Sequence, residues 1–430
     1  MLHLNNMDKR VSSFSNSIRA KDTRAVYYLL TFLFDFAVGL TAATYVLFLL
    51  SKGLDVFQVM LVNLVFMVAN FIFEIPTGAY ADYFGRRKAI VLSFVFLVVA
   101  LLVYFESKNI AMFILAEILA AIHFTFASGA LDAWMVDSME RKNYIGKIDF
   151  IFSHAAIIGK VAALLGGLLG GYLGAIALNL PFGIGAVVAF AGLLVSIFYI
   201  NEDTKIKKTL NLVGNIGQIG KVAKDSITYG IKHKVILWLI LSSIVSMFAF
   251  QPLNMYWSPR MNDLAGNQIW LMGWVWAGMC LFMIIGSYLV KMLLKKERAY
   301  SWILILTAIF LAVPILISSV SNIFAVVLVS FFTYEIGRGM LTPAHKAYLN
   351  KHIPGEQRAT VLSFDSMMGK FGAALGLVVL GWIAKNTSIQ TSWFIAGILL
   401  LFLIPIYLRA RRNERRLSIY MIRIIRANIK

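Results

Sequence analysis

Of the ionisable side chains that stand inside the long apolar stretches of this sequence, where acids and bases are rare, seven are candidates for a functional site. A charge at the centre of a membrane costs about 2.5–3.5 kcal/mol on insertion scales, so such residues indicate a functional site or paired structure. Their types suit the uptake and release of protons, or the binding of a polar solute. They are Asp35, Glu74, His154, Lys160, Glu335, Arg338 and Lys370.

The acids and the histidine of the first half are candidates for carrying a proton. Asp35 lies in the middle of the first apolar stretch, where it can be a proton site, a substrate site or a static ion-pair partner. Glu74 stands near Pro76, which loosens the helical hydrogen-bond ladder, so it suits a latch or a proton path. His154 can relay protons because imidazole titrates near neutral pH. A hydrogen-bonded packing histidine is the simpler interpretation.

The second half holds a close pair of opposite charges. Glu335 and Arg338 are three residues apart, which places them on one face of a helix, where they either neutralise each other or form part of a site. Lys160 and Lys370 each follow a glycine in similar surroundings. Each lysine can neutralise an acid of a neighbouring helix, and the two together also admit an anionic substrate.

The elements that must position these residues are membrane helices. Of the 430 residues, 60% are hydrophobic and 14% are charged, whereas soluble domains carry about 25% charged residues. This composition excludes a disordered chain and an ordinary cytosolic enzyme, and the single Cys280 excludes an internal disulfide. Twelve apolar blocks are long enough to cross a bilayer. They are Ala25–Leu50, Phe57–Tyr80, Ala89–Phe105, Ile110–Val136, Phe150–Ile176, Pro181–Ile200, Val235–Trp257, Ile269–Val290, Ser301–Ser318, Ile323–Tyr348, Thr360–Ala384 and Thr391–Leu408.

The lysines and arginines behind the net charge of +19 are concentrated on one side of the expected membrane spans. Most of the 40 lysines and arginines fall in alternate connections and at the two termini, and four fall in the others, namely Lys52, Lys108, Arg260 and Lys385. By the positive-inside rule, both termini are cytoplasmic. We interpret the basic excess as topology and attraction to anionic lipid, so no nucleic-acid partner is expected.

The two halves of the chain repeat each other at a shift of 210 residues. The segment 159–166 matches 369–376 at five of eight positions, and Arg86 and Lys88 fall on Lys296 and Arg298. A repeat of six spans keeps its orientation. The sequence therefore predicts an all-α membrane protein whose twelve transmembrane helices form two parallel six-helix repeats. Its parts are a cytoplasmic segment (1–24), a bundle (25–200), a linker (201–234), a second bundle (235–408) and a basic tail (409–430).

The connection between spans two and three carries the most specific motif. Gly78 and Gly85 permit a sharp turn and close approach of backbones. Asp82 can pair with Arg86, and Asp137 of span four can pair with Arg86 or Arg87. We therefore interpret Gly78, Asp82, Gly85, Arg86, Arg87 and Asp137 as a cytoplasmic gate that opens when the halves rock.

This motif resembles the signature loop of the major facilitator superfamily, and the preceding residues 73–78 resemble its extended form in bacterial twelve-span drug/proton antiporters. The resemblance implies that spans one, four, seven and ten line a cavity. Such antiporters often carry a Gly-Pro motif in span five. This chain has Gly166, Gly170 and Gly174 there but no proline, and this spacing predicts a closely packed helix.

Spans seven and eight supply uncharged aromatic, amide and methionine side chains. Such surface suits hydrophobic ligands of varied shape, although aromatic residues also form belts at the membrane interface. The expected wall of a hydrophobic cavity consists of Trp238, Phe248, Gln251, Asn254, Trp274 and Met279.

These features favour a secondary active transporter that works by alternating access and exports hydrophobic or amphipathic small molecules in exchange for protons. The alternatives are a proton-coupled importer of a polar or anionic solute and a membrane sensor that does not transport. An enzyme is not expected, because the sequence has no P-loop, His-Glu-x-x-His or Gly-x-Ser-x-Gly motif. We expect no cofactor and no metal. The expected partners are a small-molecule substrate, protons and lipid, for a monomer in a bacterial inner membrane.

Overall fold

A computed structural model describes residues 23–200, 228, 233–295, 300–353 and 357–428. Almost all of the expected N-terminal segment (1–24) and linker (201–234) lies outside the described residues. So does most of the charged part of the second copy of the loop motif.

The described residues form helices long and apolar enough to cross a membrane twelve times, as the sequence predicts. Helices satisfy every backbone hydrogen bond internally, which is what a chain needs in hydrocarbon. Spans one to twelve are Thr23–Ala42, Val56–Phe84, Arg86–Glu106, Ile110–Arg141, Ile148–Ile176, Leu180–Tyr199, Lys234–Leu264, Ile269–Leu294, Tyr300–Val320, Phe324–His352, Thr360–Asn386 and Ile389–Arg416.

Three spans are interrupted or extended in ways that the apolar blocks do not show. Span one ends earlier than expected and is followed by a short helix, Tyr45–Ser51. Span four consists of the helices Ile110–Ala127 and Ala130–Arg141, because Gly129 adopts a left-handed conformation with a φ of 78°. Span twelve consists of Ile389–Leu401 and Leu403–Asn428. The helices of spans eight and eleven are Ile269–Lys295 and Arg358–Asn386.

The chain folds into two compact units. The first unit holds Met1–Phe48, Val65–Val213 and Ile269–Trp276, and the second unit holds Leu49–Leu64, Gly214–Gln268 and Ala277–Lys430. Each unit thus combines most of one sequence half with a short segment of the other half. The division into bundles at 25–200 and 235–408 stays a prediction.

In the first unit, the glycine-rich face of span five packs against the backbone of span one. A β-carbon built on Gly166 or Gly170 would lie closer than 3.0 Å to the carbonyl oxygen of Phe36 or Leu40. The absence of side chains is what lets the two helices approach this closely, since close packing drives helix association in lipid. The packing role predicted for these glycines is confirmed.

The second unit repeats this packing between spans eleven and seven. Here β-carbons on Gly372 and Gly376 would lie closer than 3.0 Å to the carbonyl oxygens of Ile244 and Phe248. Gly376 is the repeat mate of Gly166 at the shift of 210 residues. The duplication found in the sequence is therefore visible in how each unit packs.

Candidate functional site

The first unit contains a cavity of about 510 Å³ between spans one, three, four and five. Its wall contains five aromatic side chains, several hydroxyl groups and two carboxylates. The aromatic residues of the wall are Tyr27, Phe34, Phe94, Phe124 and Phe152, and the hydroxyl-bearing residues beside them are Thr31, Ser93 and Ser128. The charged residues of the wall are Asp35 and Asp132.

Asp35 is half-buried on span one and reaches span five. Its carboxylate lies where a β-carbon of Gly159 would be, so the glycine makes room for it. The next residue, Lys160, has an exposed side chain whose charge acts on Asp35. The structure therefore brings two of the predicted residues, Asp35 and Lys160, into one electrostatic neighbourhood.

Asp132 is the second carboxylate of the cavity. The break at Gly129 starts a new helix, and Asp132 lies in its first turn, where the helix dipole favours a negative charge. The hydroxyl of Tyr27 donates a hydrogen bond to Asp132 Oδ1 at 2.6 Å. Tyr27 was not identified from the sequence, because it is separated from its partner by 105 residues.

His154 and Glu74 do not line this cavity. The side chain of His154 is exposed, and its Nδ1 lies 2.6 Å from the carbonyl oxygen of Phe150 in the preceding turn. Glu74 is exposed on span two, where the hydroxyl of Thr77 donates to the carbonyl of Phe73 at 2.8 Å beside Pro76. Roles for both residues in proton transfer stay predictions.

In the second unit, Glu335 and Arg338 form the ion pair that their spacing predicts. Arg338 Nη1 lies 2.9 Å from Glu335 Oε1, and the side chain of Glu335 is fully buried. The guanidinium also lies over the rings of Phe250 and Tyr334, at 5.8 and 5.9 Å from their centroids. This arrangement neutralises a carboxylate that burial would otherwise make very costly.

A second polar cluster of this unit joins three spans. His345 Nε2 lies 3.1 Å from Asp365 Oδ2, and the hydroxyl of Ser243 donates to Asp365 Oδ1 at 2.7 Å. The side chains of His345 and Asp365 are 10% and 14% exposed. His345 was missed in the sequence although it stands inside span ten. Lys370 lies further along span eleven with an exposed side chain.

The proposed gate is built around one glycine. Spans two and three are joined by Gly85 alone, with a φ of 100°, and the ion pair between Arg86 Nη2 and Asp82 Oδ1 measures 2.8 Å across it. Arg87 donates to the carbonyl oxygen of Ile197 at 2.7 Å.

Two other expectations for the gate have different outcomes. The turn expected at Gly78 is wrong, because the helix of span two continues through it to Phe84. A β-carbon on Gly78 would meet no described atom within 4 Å, so no close backbone approach requires a glycine there. Asp137 is half-buried on span four, and its pairing with Arg86 or Arg87 stays a prediction.

The residues of the expected hydrophobic wall are divided between the two units, and their role in binding a substrate stays a prediction. Trp274 belongs to the first unit, where its indole nitrogen donates to the hydroxyl of Tyr172 at 2.9 Å, whereas the other five residues belong to the second unit. Gln251 and Met279 are buried at 7% and 4% exposure. Trp238 lies under the guanidinium of Arg409 at 5.2 Å. Phe248 and Asn254 are half-buried. The spacing of these residues therefore reflects helix packing for much of the set.

Asp55 directly precedes span two and forms an ion pair with Lys385, which lies at the end of span eleven in the same second unit. Its Oδ2 lies 2.9 Å from Lys385 Nζ, and its Oδ1 accepts hydrogen bonds from the amides of Phe57 and Gln58. Burial tends to raise the pKa of this carboxyl, but Lys385 and the amide donors outweigh it and lower the pKa below its ordinary value.

Among the described residues, no group of three or more His, Cys, Asp or Glu side chains could hold a metal ion.

Comparisons with known proteins agree with this architecture. The family model of the Major Facilitator Superfamily matches residues 27–311 and 294–419. The MFS-type transporter YxaM of Bacillus subtilis (strain 168) is 23% identical over 387 residues, which cover 89% of this chain and 94% of that protein. Multidrug resistance protein 2 of the same organism is 23% identical over 346 residues, covering 78% and 82%. The structure of the nucleoside transporter NupG superposes with a TM-score of 0.76 at 13% identity, over 90% of this chain and 98% of NupG, and shows the shared fold.

Proposed function

Since this chain belongs to the Major Facilitator Superfamily of membrane transporters, we propose that it exports hydrophobic or amphipathic small molecules in exchange for protons. The family and its relatives establish a multi-pass membrane transporter with a small-molecule substrate, and not an enzyme. Proton coupling, the outward direction and the cytoplasmic position of both termini belong to the proposal.

The observation that carries the proposal is the cavity of the first unit. Its wall contains five aromatic side chains, and both of its charged residues are carboxylates. Aromatic faces attract cations and pack against apolar groups, and carboxylates neutralise a positive charge. A cavity of this chemistry favours an amphipathic molecule that carries a positive charge. The similarity to a multidrug resistance protein supports the same class of substrate.

Asp35 is the residue that would couple this substrate to protons. A carboxylate on the cavity wall can hold either a proton or a cationic group, because either one removes the unpaired negative charge. Binding of the substrate from one side would therefore release a proton, and a proton arriving from the other side would release the substrate.

Proteoliposomes that contain the purified protein and a trapped pH indicator test this role. A gradient of a lipophilic quaternary ammonium or phosphonium ion is imposed, and proton movement in the opposite direction is recorded against protein-free vesicles. We expect coupled flux for the wild type and a loss of at least about tenfold for Asp35→Asn. The matched control is Glu106→Gln, because Glu106 is exposed at the end of span three and does not line the cavity. Equal flux in wild type and Asp35→Asn would refute the role of Asp35.

A proton-coupled importer of a polar or anionic solute is the second candidate. It is favoured by Lys160 and Lys370, whose side chains are exposed at equivalent positions of the repeat. The same vesicles would then show proton-driven uptake of an organic anion, reduced by Lys160→Met or Lys370→Met. Binding of a ligand without flux of any kind would indicate a sensor.

A further inference from the structure

The cluster of His345, Asp365 and Ser243 joins spans ten, eleven and seven within the second unit, and the proposed function leaves it unused. His345 Nε2 lies 3.1 and 3.2 Å from the two carboxylate oxygens of Asp365 and 3.2 Å from the hydroxyl oxygen of Ser243. That hydroxyl donates to Asp365 Oδ1 at 2.7 Å. The carboxylate therefore has a neutral donor from span seven and an imidazole from span ten.

The partner of this carboxylate distinguishes it from the other buried acid of the unit. Glu335 is neutralised by Arg338, whose guanidinium stays charged at every accessible pH. The carboxylate of Asp365 instead pairs with His345. Its partner is an imidazole, which unlike a guanidinium can be either neutral or charged, so the charge of this pair changes when a proton binds.

We propose that His345 and Asp365 form a second proton-binding site of the transporter, separate from Asp35 and located in the second unit. This inference rests on the proton coupling in the proposed function. One proton added to neutral His345 beside ionised Asp365 converts a pair of net charge −1 into a neutral ion pair. Nε2 faces the carboxylate and donates to it in both states, so the added proton is bound at Nδ1 and leaves by the same atom.

The surroundings of the pair contain other titratable groups, and none of them replaces His345. Span twelve contributes Tyr407, whose phenol interacts electrostatically with the carboxylate of Asp365. Span seven contributes the hydroxyl of Ser243, which does not titrate. Along the helices of the pair, Lys346 and Lys370 have exposed side chains.

Protonation at this point would act on how three helices are held together. Spans seven and eleven already meet through Gly372 and Gly376, without side chains between their backbones. Span ten is tied to both by the hydrogen bonds of His345 with Asp365 and Ser243. A neutral imidazole and a charged one bind this carboxylate with different strength, so the tie of span ten changes with each proton.

Transport assays separate coupling from substrate movement. Wild type, His345→Asn and Asp365→Asn are reconstituted, and accumulation of a lipophilic cation driven by a pH gradient is compared with exchange of labelled for unlabelled cation without a gradient. We expect both variants to keep exchange and to lose gradient-driven accumulation by at least about tenfold. The matched control, Asp263→Asn, changes an exposed acid of the same unit and should behave as the wild type does.

Proton binding by the purified protein gives a readout that needs no transport. Between pH 9 and pH 4, His345→Asn in detergent should take up about one proton fewer than the wild type, because the variant lacks the imidazole that binds this proton. An equal proton count would overturn the inference. So would coupled accumulation at the wild-type level in both variants.

The remaining outcomes are also decisive. Loss of exchange together with accumulation, at an unchanged melting temperature, would make the pair part of the substrate site and would overturn the inference. If His345→Asn or Asp365→Asn lowers the melting temperature, Ser243→Ala is the variant that tests the inference. It removes only one hydroxyl next to the carboxylate and should change the pH dependence of accumulation. An unchanged pH profile would count against the inference. Absence of any proton-linked transport in the wild type would refute the proposed function instead, while the proton count would still report on the pair.

Discussion

Replacing Gly166 by alanine adds one methyl group where span five meets span one. A β-carbon there would lie 2.6 Å from the carbonyl oxygen of Phe36, 2.9 Å from the amide nitrogen of Leu40 and 3.0 Å from the carbonyl carbon of Gly39. Ordinary contact begins at 3.4 Å, and all three neighbours are backbone atoms that cannot rotate aside. The two helices must therefore move apart to accept the methyl group.

The size of the effect follows from two opposing contributions. Overfilling a packed contact costs about 1–3 kcal/mol, whereas alanine is favoured over glycine inside a helix by roughly 0.5–1 kcal/mol. Gly78→Ala is a matched control, because its β-carbon would meet no described atom within 4 Å. Gly78→Ala therefore gains the helix preference of alanine without the cost of overfilling. The difference in unfolding free energy between the two variants therefore measures the overfilling itself, and Gly166→Ala should be the less stable by about 1–3 kcal/mol.

Unfolding in mixed micelles with increasing sodium dodecyl sulfate measures this difference. The reporter is the thiol of Cys280, the single cysteine of the chain, which is half-buried on span eight and reacts with a fluorogenic maleimide as the protein opens. Equal unfolding free energies for Gly166→Ala and Gly78→Ala would refute the claim that the glycine face sets the distance between the two helices.

Four further predictions use the same unfolding assay, thermal melting or the transport assay. Arg338→Met should lower the unfolding free energy by about 3–5 kcal/mol, because it strands the buried carboxylate of Glu335, and the double variant with Glu335→Gln should recover most of the loss. The Asp55–Lys385 pair should stabilise the protein fully above the ordinary pKa of aspartate, 3.8, and lose that contribution as the pH falls through the lowered pKa of Asp55. The side chain of Lys385 is 47% exposed and that of Asp55 is 39% exposed, so the pair contributes about 0.2–1 kcal/mol. Melting curves recorded from pH 3 to 7 should show this loss of stability in acid for the wild type and not for Asp55→Asn. Gly85→Ala should destabilise the protein by more than about 1 kcal/mol, because the φ of 100° strains any other residue. Asp82→Asn should cost at most about 1 kcal/mol of stability yet reduce transport, and unchanged transport would argue against a gate.

The features that the sequence predicted well are set within a single helix. Twelve apolar blocks, a glycine every fourth residue in span five, and the pair Glu335–Arg338 all follow from the rise and turn of one α-helix. Such spacing fixes which side chains share a face, and the structure agrees at each of these places.

Contacts between helices were not predictable in the same way, because spacing along one helix does not fix its rotation against its neighbours. His345 meets Asp365 from another span, and Tyr27 meets Asp132 across 105 residues. The same reason applies to the expected hydrophobic wall, because the residue types of spans seven and eight do not say which faces of these helices are buried. The cavity around Asp35 also depends on the break at Gly129, which looks like any other small residue of a membrane helix.

The single-residue connection at Gly85 leaves no slack between spans two and three. One inserted residue would change how span three leaves span two, and Asp82 and Arg86 would no longer lie 2.8 Å apart. No flexible loop lies between the two helices, so a tilt of span two would also move span three. This corner should tolerate changes of side chain far better than any change in its length.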